Sequence, residues 1–235
     1  MLLMEKIQLV DVDSKIPNLA LMKISTAHKK LGNKVDLKEI SKPDKVYISC
    51  VFKENRSQAL GIAKMFNCPV EIGGYGVNNK SLPDHIDHVM PDYSLYNVDY
   101  SMGYTSRGCI RKCPFCIVWK KEGWIRDNAP VKEFWNPKHK KLVLLDNNLL
   151  ASPKCEENLK FLAQNKIKTT FCQGLDIRLV NNDNASLLSK VNARTMSFKS
   201  KMYHFAFDDP QIEDDVRKGV SILKKHGISL NFIKL

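Results

Sequence analysis

Short apolar runs alternate with longer segments of helical periodicity along most of this chain. Such alternation is typical of α/β proteins, in which helices cover a sheet of parallel strands. In the first part of the chain the pattern predicts a small βαβ layer. Its predicted strands are 6–12, a short segment near Val35, 45–50 and 69–74, and its predicted helices are 17–31 and 56–66.

Residues 83–98 interrupt this pattern, because they contain two prolines, three aspartates and no clean period. We interpret them as a linker between a domain at 1–82 and a domain at 99–235. The alternation restarts in the second domain and predicts a barrel-like β/α array. The predicted strands are 100–105, 141–146, 169–172, 203–207 and 229–234, and the predicted helices are around 154–165, 181–191 and 211–226.

The fifth predicted strand, 229–234, lies at the end of the chain. A β/α array that stops on a strand has an open edge, and open edges are prone to unwanted pairing. We therefore expect either a further C-terminal segment or a partner that covers the last strand.

Composition narrows the cellular context. The N-terminus lacks the basic start of a secretion signal, and no run approaches the ~20 apolar residues of a membrane span. We therefore expect a cytoplasmic protein without membrane association, in which seven cysteines favour free thiols or metal ligands over disulfides. The net charge of +12 makes RNA or DNA a candidate partner. The alternative is a lysine-rich solvated surface, since no aromatic RNA-binding pattern accompanies the lysines.

The stretch GCIRKCPFC, residues 108–116, carries three cysteines in one short loop after a predicted strand. Cys109, Cys113 and Cys116 are separated by three and then two residues. Gly108 and Pro114 permit the tight turn that would let the three thiolates converge on a metal. In a parallel β/α fold, this loop would lie at the carboxyl ends of the strands, where such folds carry their chemistry.

Three cysteines leave the identity of the metal open. A zinc site needs a fourth ligand, and His139 or Cys155 would have to be recruited from a distance. A 4Fe-4S cluster held by three cysteines leaves one iron open for a ligand that is not protein, and such an iron can do chemistry. Three unrelated buried thiols are the remaining alternative.

The spacing CxxxCxxC, with the aromatic Phe115 before the last cysteine, resembles the signature of radical S-adenosylmethionine (radical SAM) enzymes. The resemblance implies a partial (β/α) radical SAM barrel in which S-adenosylmethionine chelates the open iron of a 4Fe-4S cluster. It further implies a reductase, flavodoxin or ferredoxin as electron donor. The reduced cluster would cleave the cofactor to methionine and a 5′-deoxyadenosyl radical, which abstracts hydrogen from a substrate that the sequence does not identify.

The resemblance also assigns cofactor contacts after the second and third predicted strands. Asp146, Asn147 and Asn148 stand where the family carries a Gly-Gly-Glu-like motif that binds the methionine amino group, although here polar side chains replace the glycines. Asn148 has an alternative role as a helix cap. The other expected cofactor contacts on this part of the chain are Gln173, Asp176 and Arg178. The planar fork of Arg178 suits the cofactor's carboxylate, with an ion pair to Asp176 as the alternative.

The last two predicted strands add further candidates. Asp208 and Asp209 could bind ribose hydroxyls or a cationic substrate group, or they cap the following helix. Cys172 either faces the substrate or is buried for packing. By resemblance, adenine would contact the fifth strand through Asn231 and through the backbone of Phe232 and Ile233.

The first domain resembles the cobalamin-binding Rossmann domain that precedes the barrel in one branch of the family. Domains of this type have a flavodoxin-like fold. The resemblance rests on the segments 10–32 and 71–77, the latter with Gly73, Gly74 and Gly76. The chain lacks the Asp-x-His-x-x-Gly motif that supplies the lower cobalamin ligand, so we do not expect cobalamin. Two other functions stay open: an iron–sulfur electron carrier or catalytically silent scaffold, and a zinc-stabilised nucleic-acid-binding protein.

Overall fold

The computed structural model describes residues 4–78, 80–229 and 233–234. Contacts divide the chain into two units, Met1–Val98 and Asp99–Leu235. Each unit combines helices with parallel sheets and has its own apolar core. The predicted α/β class is therefore confirmed. Within the described residues, no helix combines the length and the apolar composition needed to cross a bilayer.

The first unit is built on a parallel sheet with a helix on each face. Its elements are β1 (Lys6–Asp11), α1 (Leu19–Lys30), β2 (Lys34–Asp36), β3 (Lys45–Ser49), α2 (Arg56–Ala63), β4 (Val70–Gly73) and α3 (Asp84–Asp87). The strands pair in the order β2–β1–β3–β4. Ile7 and Leu9 of β1 pack with Leu21 of α1, whereas Val46 of β3 packs on the other face with Ala59 of α2. Burial of both faces explains why the strands read as nearly continuous apolar runs.

The segment predicted as a linker, 83–98, packs within the first unit. It contains α3 and a 3-10 turn at Tyr93–Tyr96. Asp87 forms a 2.6 Å ion pair with Lys23, and the Tyr96 hydroxyl donates to Asp11 at 2.6 Å. These partners are more than sixty residues away along the chain. A local lack of periodicity therefore did not indicate a lack of packing.

The second unit contains two parallel sheets and one antiparallel pair. Its strands are β5 (Ser101–Gly103), β6 (Ser106–Arg107), β7 (Arg126–Asp127), β8 (Lys141–Leu144), β9 (Lys168–Phe171), β10 (Leu175–Asp176), β11 (Asn192–Ala193), β12 (Tyr203–Ala206) and β13 (Ile233–Lys234). Its helices are α4 (Val118–Lys121), α5 (Val131–Phe134), α6 (Cys155–Gln164), α7 (Asn182–Lys190) and α8 (Glu213–Lys225). The parallel sheets have the orders β11–β9–β8–β5 and β10–β12–β13, and β6 pairs with β7.

The five strands predicted for this unit correspond to β5, β8, β9, β12 and β13, and the three predicted helices correspond to α6, α7 and α8. The structure adds β6, β7, β10 and β11, each of two residues, which are too short to leave a periodic signal. Part of the predicted fifth strand, residues 230–232, lies outside the described residues, and β13 pairs with β12. Among the described residues of this unit, hydrogen bonds group the parallel strands into two sheets.

The glycines after β4 allow two loops of the first unit to touch. A Cβ atom on Gly74, which has φ of +97°, would lie 2.3 Å from the Cys50 carbonyl oxygen. A Cβ atom on Gly76 would lie 2.5 Å from the Phe52 carbonyl oxygen. Both distances are shorter than any side chain tolerates, so these glycines serve the packing of the β4 loop on the β3 loop.

We expect Gly74→Ala to lower the free energy of unfolding by about 1–3 kcal/mol, because it combines a positive φ with a backbone clash. The matched control is Gly61→Ala within α2, where nothing lies within 4 Å of the added Cβ. That change should stabilise the protein by about 0.5–1 kcal/mol, since alanine is the better helix former. Urea denaturation of both variants measures the difference; equal effects would contradict the packing role of Gly74.

Candidate functional site

The cysteine loop begins directly after β6. Gly108 has φ of +85°, and a Cβ atom there would lie 2.4 Å from the Trp124 carbonyl oxygen. The backbone N–H of Cys109 donates to the Gly123 carbonyl at 3.2 Å. Glycine at 108 therefore lets the start of the loop lie against the chain that leads into β7.

The three thiols of the loop are free, and each residue is partly buried. The Cys109 Sγ accepts hydrogen bonds from the backbone N–H of Arg111 at 3.3 Å and from the Asn148 Nδ2 at 3.5 Å. The Cys116 N–H closes a turn onto the Cys113 carbonyl at 3.0 Å. Among the described residues, no three His, Cys, Asp or Glu side chains are arranged to hold a metal ion, and that includes these three.

Asp146 follows β8 and anchors the start of the same loop. Its buried carboxylate accepts four hydrogen bonds: from the N–H groups of Thr105 and Ser106 at 3.1 and 2.6 Å, and from their hydroxyls at 2.6 and 2.7 Å. Burial raises the pKa of Asp146 above its ordinary value, although these hydrogen bonds act to lower it. Both oxygens are thus engaged with the turn between β5 and β6.

The two asparagines after Asp146 face the cysteine loop. The Asn147 Oδ1 accepts from the Gly108 N–H at 3.2 Å. The buried Asn148 side chain donates through Nδ2 to Cys109 and, at 3.4 Å, to Asp176. It does not cap the 3-10 turn that follows it. Its Oδ1 is buried and has no hydrogen-bond partner in the described structure, which is a costly state for an acceptor.

Asp176, at the end of β10, connects this strand to the cysteine loop. Its buried carboxylate accepts from the Nε of Arg178 at 2.6 Å and from the Nε of Arg111 at 2.9 Å. Burial acts to raise the pKa of Asp176, but the hydrogen bonds and charges of the two arginines hold it below its ordinary value. The alternative considered for Arg178, an ion pair with Asp176, is present, and Arg111 joins it from within the cysteine motif.

Five further predicted site residues are exposed or partly exposed: Phe115, Cys172, Gln173, Asp208 and Asp209. Phe115 and Gln173 are exposed, and Cys172 is half-buried with a pKa that burial raises. Asp209 accepts from the Gln211 N–H at 2.9 Å and caps a 3-10 turn, which matches its alternative role. Asp208 is exposed, and its charge acts on both Cys113 and Arg178.

The predicted adenine contacts fall near the end of the chain. Asn231 and Phe232 lie outside the described residues, and Ile233 is described only as part of β13. The two distant zinc ligands that were considered have other surroundings. The Nδ1 of His139 shares a 3.0 Å hydrogen bond with the Ser101 hydroxyl, and Cys155 is buried in the core.

His28 of the first unit lies on α1, in agreement with its predicted place inside a helix. Its Nε2 lies 3.0 Å from the Tyr47 hydroxyl, and its Nδ1 lies 3.1 Å from the Asn33 Nδ2. Burial, together with the charge of Lys45, lowers the pKa of His28 below its ordinary value. Both ring nitrogens are therefore engaged in the packing of α1.

Sequence reasoning missed Arg111, Thr105 and Ser106. Arg111 lies inside the CxxxCxxC spacing, yet its ionic partner is 65 residues away. Thr105 and Ser106 form a polar pair at the end of an apolar strand, and this pair could have indicated an anchor for a carboxylate.

Compared with models of known protein families and with curated proteins, the chain matches none of them.

We expect Asp176→Asn to lower the free energy of unfolding at pH 7 by about 1–3 kcal/mol, because it leaves two buried arginine contacts without a negative partner. Since the folded pKa of Asp176 is below its unfolded value, its contribution is complete above about pH 4 and disappears as the pH falls through the folded pKa. Urea denaturation of the unchanged protein and the variant should show a smaller difference in the free energy of unfolding at pH 2.5 than at pH 7.

The control for this change is Asp209→Asn, an exposed carboxylate at which asparagine caps equally well. It should leave the free energy of unfolding unchanged at both pH values. An Asp176→Asn gap that persists undiminished at pH 2.5 would contradict the lowered pKa.

Proposed function

We propose that the second unit is the catalytic part of a radical SAM enzyme, which cleaves S-adenosylmethionine reductively and abstracts hydrogen from a substrate. One observation carries the proposal: the Cys109 thiol contacts Asn148, whose buried Oδ1 lacks a partner, beside the Asp176–Arg178 pair. The sequence separates these residues by up to 69 positions. All of them were expected to contact the same cluster and cofactor.

The donor set suits a 4Fe-4S cluster. Cys109, Cys113 and Cys116 would supply three thiolates, and the loop has to draw them together when the cluster assembles, since the described side chains do not form a metal-holding group. When bound, the cluster supplies the electron that breaks the carbon–sulfur bond of S-adenosylmethionine. The exposed positions within the loop, such as Pro114 and Phe115, leave room for this rearrangement.

Asn148 is suited to hold the amino group of S-adenosylmethionine. Its Nδ2 donates to Cys109 and Asp176, which fixes the orientation of the amide. The Oδ1 is then the acceptor that an ammonium group requires, and a hydrogen bond to a charged donor would relieve its burial without a partner. Asn148 thereby takes the role that a glutamate has in the family's motif.

Arg178 is suited to hold the carboxylate of S-adenosylmethionine. Asp176 takes its Nε–H donor, and a guanidinium carries four further N–H donors. Asp176 and Arg111 also connect this arginine to the cysteine loop, so that cofactor and cluster ligands would be oriented by one buried network. Removal of water from such a site strengthens each of these charged contacts.

The proposal extends to the rest of the chain. We propose that the first unit is a Rossmann-like domain of the cobalamin-binding type that has lost the cofactor, since its glycines are used in packing and its helical histidine is engaged. The second unit would be a partial radical SAM barrel. The enzyme would act in the cytoplasm, with a reductase, flavodoxin or ferredoxin as electron donor.

Anaerobic reconstitution with iron and sulfide tests the proposal. With S-adenosylmethionine and a strong reductant, the protein should release 5′-deoxyadenosine, and Cys113→Ala should abolish both the four-iron absorption and this product. Cys68→Ala, a partly buried cysteine of the first unit, should retain both. A redox-active cluster without 5′-deoxyadenosine would indicate an electron carrier, and tight zinc without a cluster would indicate a structural site.

We expect Asn148→Leu to retain the cluster but to weaken S-adenosylmethionine binding by at least about tenfold, because a hydrogen bond to a charged group is lost. Isothermal titration of the reconstituted protein measures the affinity, and iron content verifies the cluster. Asn165→Leu at the end of α6 is the control, since this asparagine bonds only locally to Phe161. Unchanged affinity in Asn148→Leu would remove Asn148 from the cofactor site.

A further inference from the structure

The hairpin that carries the cysteine loop is strongly basic. We call residues 107–126, from the end of β6 to the start of β7, the basic hairpin. It contains six basic residues and one acidic residue: Arg107, Arg111, Lys112, Lys120, Lys121, Arg126 and Glu122. The whole chain has 37 basic and 25 acidic residues, so positive charge is concentrated here well above the average.

The single carboxylate does not neutralise the surface of the basic hairpin. Glu122 is largely buried and accepts from both the Nε and the Nη2 of Arg107, at 2.7 and 2.6 Å. Arg126 also lies 3.9 Å from it. Lys112, within the cysteine loop, and Lys120, in α4, are both exposed, and the Lys120 Nζ lies 5.1 Å from the centroid of the Trp119 ring. Such lysines attract phosphate groups at long range.

The basic hairpin also carries the two most exposed aromatic side chains in the described part of the chain. Phe115 is 70% exposed and Trp124 is 65% exposed, with Ile117 at 42%. The Trp124 carbonyl lies against Gly108, so the backbone at Trp124 lies next to the start of the cysteine loop. In addition, the indole Nε1–H of Trp119 has no hydrogen-bond partner in the described structure.

We propose that the basic hairpin binds single-stranded nucleic acid, with Lys112 and Lys120 at phosphates and with bases stacked on Trp124 and Phe115. Exposed rings between lysines match a strand in which flat apolar bases alternate with charged phosphates. A duplex keeps its base faces covered and offers nothing for the rings. An acidic protein would engage the lysines, but two exposed rings with Lys120 and Lys121 between them in the chain are better suited to separate bases than to one continuous apolar patch.

The position of this surface at the cysteine loop gives the bound strand a role. In the proposed enzyme it would carry the group from which hydrogen is abstracted. That assignment rests on the proposed function, whereas binding of the strand does not.

Fluorescence anisotropy with a labelled mixed-sequence RNA of sixteen nucleotides tests the binding on the full chain as purified, without cluster or cofactor. Trp124→Ala should weaken binding by roughly 5- to 150-fold, the contribution of one stacked base, and Trp124→Tyr should restore most of it. The double variant Lys112→Ala/Lys120→Ala should reduce the slope of log affinity against log salt by about 1.4, from about 0.7 for each phosphate contact. Circular dichroism verifies that each variant is folded.

The matched control is Lys138→Ala/Lys140→Ala, which removes the same charge from another exposed basic segment of the second unit. It should change the affinity by less than threefold. Equal losses in both double variants, or a Trp124→Ala affinity equal to that of the unchanged protein, would overturn the proposal. The proposal would also be overturned if the basic hairpin variants bound RNA as tightly as the unchanged protein but bound an acidic flavodoxin more weakly.

The two proposals fail separately. If RNA binds as expected but reconstituted protein forms no 5′-deoxyadenosine, the proposed function is wrong and the binding surface stands. If 5′-deoxyadenosine forms but RNA binding does not depend on the basic hairpin, the enzyme stands and this surface is wrong.

Discussion

The buried carboxylate of Asp146 is the contact on which the candidate site depends. It follows β8 and accepts hydrogen bonds from the N–H and hydroxyl groups of Thr105, which precedes β6, and of Ser106, which begins it. A carboxylate is expensive to bury, and only a complete set of donors offsets that cost. Four donors from two adjacent residues offset part of that cost, and they fix the point from which the cysteine loop leaves the sheet.

A second buried carboxylate fixes the far side of the same loop. Asp176 is engaged by Arg178 from its own turn and by Arg111 from within the cysteine motif. At Asp176 itself the charges do not cancel, because two guanidinium groups face one buried carboxylate; the exposed Asp208 also acts on Arg178. The excess positive charge lies near Cys113, where Arg178 acts to lower the pKa of a thiol that burial otherwise raises. The first part of the loop, up to Arg111, is therefore tied to two strand ends, while Lys112, Pro114 and Phe115 remain exposed.

The elements that the sequence predicts well are those whose apolar period is long enough to be read. The strands β1, β3 and β8 and the helices α1, α6 and α8 follow directly from runs and periods of buried residues. The two-residue strands β6, β7, β10 and β11 have no period. Residues 83–98 look like a linker for a related reason: their packing depends on Lys23 and Asp11, which are distant in sequence.

In the candidate site, too, features set by neighbouring residues could be predicted, whereas contacts between residues distant in the sequence could not. The cysteine spacing is local and identifies a loop, and the cap formed by Asp209 is local and follows from its position before a proline. The contact between Arg111 and Asp176 spans 65 residues, and neither residue type is unusual where it occurs. Only the three-dimensional arrangement brings an arginine of the cysteine motif to a carboxylate on β10.

An asparagine at position 148 has a physical consequence for any ligand held there. An amide oxygen accepts a hydrogen bond from an ammonium group but adds no full negative charge. The nearest carboxylate, Asp176, is already engaged by two arginines, so it adds little attraction for a cation. A ligand that carries both an ammonium and a carboxylate resolves this imbalance, because its carboxylate meets the excess guanidinium charge while its ammonium satisfies the Asn148 Oδ1. An α-amino acid group, such as the one in the proposed cofactor, carries both charges.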